Sequence, residues 1–71
     1  SRTNDTLITA QVKTKLTFDK EVKSSNIEVT TEDSVVYLMG KVRRLSSEKA
    51  TAIASGTSGV RKVVRVFEYV D

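Results

Sequence analysis

Apolar and polar residues alternate through NIEVTTEDSVVYLMGKV, residues 26–42. Ile27 and Val29 take every second position, a polar Glu32-Asp33-Ser34 break follows, and Val36, Leu38, Gly40 and Val42 then alternate with Val35, Tyr37, Met39 and Lys41. Period two on both sides of a short polar break predicts a β-hairpin. Asp33-Ser34 stands where Asp-Gly or Asn-Gly makes the stronger two-residue turn, so the hairpin is better specified than its turn type.

Upstream the period becomes helical. Ile8, Val12 and Leu16 form a narrow stripe at about 100° per residue, and Asn4 or Asp5 offers an N-cap. The expected helix runs from there to about Leu16, with residues 1–4 a flexible lead-in or the end of a linker. Leu7, Ala10, Gln11, Thr14 and, if the last turn continues, Phe18 fall on a different side, with Leu7 roughly 140° from the centre of the stripe. A large apolar side chain is therefore directed at solvent. Asp19–Ser25 reads as a polar connection whose Val22 tucks under the sheet.

Downstream, Ser46 or Ser47 can cap a second helix through Ala54 or Ser55, with Ala50, Ile53 and Ala54 as its stripe, and Gly56 and Gly59 end it in a left-handed cap. A last strand from Lys62 to Val70 places Val63, Phe67 and Tyr69 on one face and Val64, Val66 and Val70 on the other. The order is α-β-β-α-β, and a connection of this length suits a right-handed crossover that makes the last two strands parallel. The expected fold is α+β: a two-layer sandwich, αββαβ, in which a three-stranded mixed sheet carries two helices on one face, as one domain over residues 5–70.

Seventy-one residues bury only about 60% of the surface of the unfolded chain, which leaves no room for a deep catalytic cleft. A core of this size commonly leans on a disulfide, a metal or a neighbour, and the chain has neither Cys nor His. Thiolate nucleophiles, Ser-His pairs, imidazole bases and zinc sites of Cys/His type are thereby excluded. The nine carboxylates scatter among turns, caps and polar strand faces, so the reading is non-enzymatic, with no catalytic residues, metal or cofactor. A net charge of +3 and a pI near 9.5 lean mildly toward anionic partners. No apolar run approaches the length of a membrane-spanning helix, and the opening SRTNDT lacks the features of a signal peptide.

The spacings D-x-x-I-T-x-x-V-K-x-x-L (Asp5, Ile8, Thr9, Val12, Lys13, Leu16), I-x-V-T (Ile27 to Thr30), V-x-L-x-G-x-V (Val36, Leu38, Gly40, Val42), A-x-x-I-A (Ala50, Ile53, Ala54) and G-V-x-x-V (Gly59, Val60, Val63) resemble the BON domain. The likeness covers roughly residues 5–70, and VKSSNIEVTTED, VYLMGKV and IASGTSGV look most like the second such domain of dual-BON outer-membrane lipoproteins. Two departures fall in loops: Ser34 replaces the usual turn glycine, and Gly56-Thr57 replaces a longer, more apolar end of the second helix. The resemblance implies an αββαβ sandwich in the periplasm, associated with the outer membrane, that binds anionic phospholipid without catalysis and supports membrane integrity under envelope stress.

In such relatives lipid binding is associated with the first helix, which here coincides with the side found by periodicity. The implied lipid-binding residues are Leu7, Gln11, Lys13, Thr14, Lys15, Thr17 and Phe18, with Leu7 and Phe18 inserting and Lys13, Lys15 and Lys20 meeting phosphates. The plainer alternative makes Leu7 an ordinary exposed leucine and folds Phe18 back into the core. A second candidate is a protein-docking sheet face of Val35, Tyr37, Met39, Val64, Val66 and Val70, covered by a sister BON domain or another envelope protein. Against it, the alkyl stems of Glu28, Lys41, Arg65 and Glu68 can shield part of the patch. Gly56-Thr57-Ser58-Gly59 satisfies the G-x-x-G pattern of KH domains, but such a loop joins two helices, whereas this one leads into a strand and holds no basic residue. No nucleic-acid partner is expected.

Overall fold

The computed structural model describes residues 1–71 and orders them as α1 (Arg2–Phe18), a single 3-10 turn (Ser24–Asn26), β1 (Ile27–Glu32), β2 (Val35–Val42), α2 (Arg44–Ser55) and β3 (Lys62–Tyr69). β1 and β2 pair antiparallel from Ile27↔Gly40 to Glu32↔Val35, and β2 and β3 pair parallel from Val35↔Lys62 to Val42↔Tyr69. β2 is therefore the central strand of a three-stranded mixed sheet, as expected.

The period-two pattern becomes burial. Ile27, Val29 and Thr31 are buried while Glu28, Thr30 and Glu32 are exposed, and their partners Val36 and Leu38 are buried on the same face. Against that face pack Ile8, Val12 and Leu16 of α1 and Ala50 and Ala54 of α2, with Val22, Val42 and the partly buried Ile53, Val60, Val63 and Phe67 completing one core. Each large side chain enclosed there contributes about 1.5–3 kcal/mol of hydrophobic stabilisation. The two alanines, both fully enclosed, give α2 a surface short enough to approach the sheet closely.

The helix starts differ from the sequence expectation. α1 begins at Arg2, not near Asp5, because the Ser1 hydroxyl accepts the Asn4 N–H at 3.2 Å. The helix thus incorporates residues 2–4. α2 begins at Arg44, and neither Ser46 nor Ser47 is its N-cap. Ser47 points inward instead, buried, with its hydroxyl 3.2 Å from the Tyr69 hydroxyl. The first free amide of α2, on Arg44, donates to the Asp71 carboxylate at 3.1 Å, so the cap comes from the far end of the chain. Gly56 is right-handed at φ −83°, and the positive φ of the expected left-handed cap occurs at Gly59 instead.

Asp5, freed from capping, holds the hairpin. Asp33 and Ser34 both have positive φ, 50° and 66°, which makes the two-residue turn one of the primed hairpin types that glycine normally occupies. The Asp5 carboxylate accepts both of their amide hydrogens at 2.9 Å, so two otherwise unpartnered donors are satisfied in that uncommon conformation. The same turn anchors the entry to β3, because Arg61 N–H donates to the Ser34 carbonyl. This end of the molecule therefore gathers the start of α1, the β1–β2 turn and the start of β3.

The opposite end gathers the rest of the connections. Val70 N–H donates to the Val42 carbonyl, the Ser46 hydroxyl reaches the Glu21 carbonyl, and Lys49 forms an ion pair with Glu21. α1 itself runs out at this end, at Phe18.

Candidate functional site

The outer surface of α1 carries the exposed apolar groups that periodicity singles out. Leu7 is 57% exposed and Phe18 81%, so Phe18 does not fold back into the core. Gln11, Thr14 and Lys15 are exposed as well, and on the angular count they lie on the same side as Leu7 and Phe18. That side reaches α2: Leu7 and Gln11 border a groove with Ser58 and Gly59, and the Lys15 ammonium donates to the Thr57 hydroxyl at 3.3 Å.

Lys13 and Thr17 do not join them. Both line a groove with Ser25 and Ile27, on the β1 side of the helix. Of the seven implied lipid residues, Leu7, Gln11 and Lys15 thus border the α2 side and Lys13 and Thr17 the β1 side, with Thr14 and Phe18 on the outward face between them. The largest groove, about 660 Å³, also lies on the β1 side and includes Arg2, Asp5, Thr9 and Lys13. Within it the Thr9 hydroxyl donates to that of Thr31 at 2.8 Å.

On the open face of the sheet, the register aligns Val35 with Lys62, Tyr37 with Val64, Met39 with Val66 and Lys41 with Glu68. Val35, Tyr37, Met39 and Val64 are half-buried and Val66 is 56% exposed, forming one apolar strip along β2 and β3. Glu28, Thr30 and Glu32 border it on the β1 side. Val70 stands apart, beyond the end of β3, where it lines a cleft with Lys23 and Arg43. Arg65 pairs with Leu38 and so belongs to the helix-facing side, which removes it from the residues able to shield the strip.

The G-x-x-G loop is occupied structurally. Thr57 is buried, and its hydroxyl donates to the Ile53 carbonyl at 2.9 Å while accepting from Lys15. The basic groups Lys41/Arg43/Arg44 and Arg61/Lys62 lie at opposite ends of the parallel β2–β3 pair.

Two side chains have shifted protonation. The amide of Ser34, and with it that of Asp33, holds the Asp5 carboxyl below its ordinary value of 3.8 against a smaller opposing effect of desolvation. The hydrogen bond and charge of Glu21 raise the Lys49 ammonium above 10.5. Both groups tie elements together, Asp5 through the turn amides and Lys49 through Glu21. No group of three or more His, Cys, Asp or Glu side chains assembles to hold a metal ion. No helix is long and apolar enough to cross a membrane.

This arrangement can be set beside known proteins. The sequence model of the BON domain matches residues 4–71. The chain belongs to the BON domain family. This BON domain is 42% identical over 67 residues to outer membrane lipoprotein DolP of Haemophilus influenzae, covering 94% of the chain and 35% of that protein. It is 38% identical over 66 residues to the 21 kDa hemolysin of Actinobacillus pleuropneumoniae, covering 93% of the chain and 34% of that protein. With osmotically-inducible protein Y of Escherichia coli it shares 39% identity over 61 residues, 84% of the chain and 30% of that protein. The BON domain thus spans about a third of the length of these relatives.

Sequence reasoning found Leu7 and Phe18 from their angle on the helix. It missed the role of Asp5, because the turn that Asp5 binds lies 28 residues away in the chain.

Proposed function

We propose that this BON domain is a non-enzymatic module that binds anionic phospholipid membranes through the exposed outer side of α1. Leu7 and Phe18 enter the acyl boundary, and Gln11, Thr14 and Lys15 meet the headgroups. The observation that carries the reading is the pair of exposed large apolar side chains on one side of a helix whose other large apolar side chains, Ile8, Val12 and Leu16, are all enclosed. Lys13 and Thr17 approach the same headgroups from the β1 side. The likeness to an outer membrane lipoprotein supports a place in the bacterial envelope, in the periplasm at the outer membrane, where such a module supports membrane integrity. Within a dual-BON protein this chain corresponds to the second domain.

Co-sedimentation with phosphatidylglycerol-containing vesicles tests this. Leu7→Glu and Phe18→Glu each remove an inserting group and add a repelled charge. Lys13→Glu reverses one charge and costs on the order of 2 kcal/mol, or thirtyfold, at about 1 kcal/mol per charge. Binding unchanged in Leu7→Glu and Phe18→Glu refutes the α1 site.

A second reading is supported by the strip of Val35, Tyr37, Met39, Val64 and Val66, which no element of the chain covers. It docks a sister BON domain or another envelope protein. Amide shifts on lipid addition that map to Tyr37, Met39 and Val66 instead of α1 would transfer the membrane role to this face.

A further inference from the structure

The end of the molecule where α1 runs out holds a cleft of about 280 Å³ between the α1–β1 connection, the end of β2 and the start of α2. Lys23 lines it from the connection, Lys41 and Arg43 from the end of β2, and Asn26, Ser46 and Val70 complete the wall. All three cations are exposed, and none is in an ion pair, since the molecule has only one, Lys49 with Glu21. Two acids at this end are engaged, Glu21 by Lys49 and Asp71 by the Arg44 amide. Glu68, the register partner of Lys41, makes no ion pair with it. Arg44 stays out of the cleft wall, its guanidinium stacked 4.4 Å over the Tyr69 ring.

Three exposed like charges line one cleft and repel each other weakly through solvent. An anion with several acceptor oxygens reverses the sign of that interaction, and a lysine–arginine set with side-chain amide and hydroxyl donors matches a phosphate group. We propose that this cleft binds a phosphate group, held by Lys23, Lys41 and Arg43 with Asn26 and Ser46. The phosphate is that of a lipid headgroup or of a soluble ester, and the lipid source alone rests on the membrane reading above. With a lipid, Phe18 at the same end enters the acyl boundary beside the captured headgroup.

The test compares wild type with Lys41→Gln/Arg43→Gln. Both positions are exposed, and neither side chain forms an ion pair, so the fold survives the change. Thermal unfolding is followed in inorganic phosphate and in chloride at matched ionic strength. Phosphate strengthens burial in any protein by exclusion from its surface, and the variant measures that background. The expected result is a larger rise of the midpoint in wild type, because a ligand held only by the folded chain stabilises it by mass action. Equal rises in both proteins overturn the site. In an NMR titration with inorganic phosphate, amide shifts confined to Lys23, Asn26 and Lys41–Ser46 support it, and shifts spread equally over Lys13, Lys20, Arg61 and Lys62 overturn it.

Phosphatidylglycerol vesicles then identify the source. A loss of about 25-fold in the double variant, fivefold per charge, assigns a lipid headgroup. Unchanged vesicle binding together with a cleft-specific phosphate response assigns a soluble phosphate ester. If Leu7→Glu and Phe18→Glu bind vesicles normally while the double variant does not, the α1 reading fails and the cleft stands. Vesicle loss only in the α1 variants, with no cleft-specific phosphate response, overturns the cleft and leaves α1.

Discussion

Gly40 sits in the central strand opposite Ile27 on one side and Phe67 on the other, at a φ of +137° that side chains rarely adopt. The 3-10 turn before β1 presses against it: a Cβ there would collide with the Asn26 carbonyl oxygen, with the Asn26 carbonyl carbon at 3.1 Å and the Ile27 Cα at 3.5 Å. All three obstacles are backbone atoms, so no side chain can swing aside. Gly40→Ala therefore forces either the strand or the turn to move. Adopting the disfavoured dihedral costs about 1–3 kcal/mol. Overpacking adds about 1–3 kcal/mol more.

The total stability of a 71-residue domain is about 4–11 kcal/mol at 0.05–0.15 kcal/mol per residue, so the substitution removes a large part of it. At about 4–8 °C per kcal/mol, even a loss of 3 kcal/mol lowers Tm by roughly 12–24 °C. Circular dichroism at 222 nm against temperature measures the shift, with Gly56→Ala as control. Gly56 has ordinary helical dihedrals and a nearest contact of 3.3 Å to Ala52 O, so its replacement changes Tm by a few degrees at most. A drop of less than about 5 °C in Gly40→Ala would refute the reasoning, because it would mean that the backbone around Asn26 yields freely.

Three other outcomes follow from named contacts. The folded-state pKa of Asp5 lies below 3.8, so its contribution to stability is fully present above that value and is lost as pH falls through the folded pKa; Asp5→Asn flattens the decline of Tm on acidification, measured by thermal scans from neutral pH into the acid range. Ser34→Gly relieves a positive φ while keeping the amide that Asp5 binds, and raises stability by about 0.5–1 kcal/mol in urea unfolding. In vesicle co-sedimentation, Phe18→Glu weakens binding more than Leu7→Glu does.

The fold was legible because one-sided burial imposes its period on the chain. Ile8, Val12 and Leu16 mark the helix stripe and Ile27, Val29, Val36 and Leu38 the sheet face, and all seven are enclosed. Local pattern carries no information about partners distant in sequence, and that is where the expectations departed. Asp5 and Ser47 are both good capping residues by type, yet the turn amides draw off the first and the Tyr69 hydroxyl the second. Asp71 supplies what Ser47 does not. The candidate site was legible to the same depth: an angular count finds that Leu7 and Phe18 leave the stripe, but only the strand order shows that Lys13 and Thr17 look toward β1 while Lys15 looks toward α2. Lys41 and Arg43 are two residues apart at the end of β2, but Lys23 comes from the α1–β1 connection, and nothing in the sequence announces that it shares their cleft.

The unequal roles of Leu7 and Phe18 follow from where α1 begins and ends. Eleven residues of helix separate them, about 16 Å along the axis, so both reach a flat bilayer only if α1 lies parallel to its surface. Leu7 stands at the turn end, beside Ser34 and Gly59. Phe18 stands at the other end, more exposed than Leu7 and close in sequence to Lys20 and Lys23. The cleft cations Lys41 and Arg43 converge on that same end. Charge attraction acts before apolar contact and falls off within a Debye length, so it tilts the domain until the end rich in unpaired cations is nearest the anionic surface. In that pose Phe18 is inserted first and deepest, and Leu7 enters only as the helix settles toward the plane. A domain lying flat from the outset would make the two substitutions equally costly.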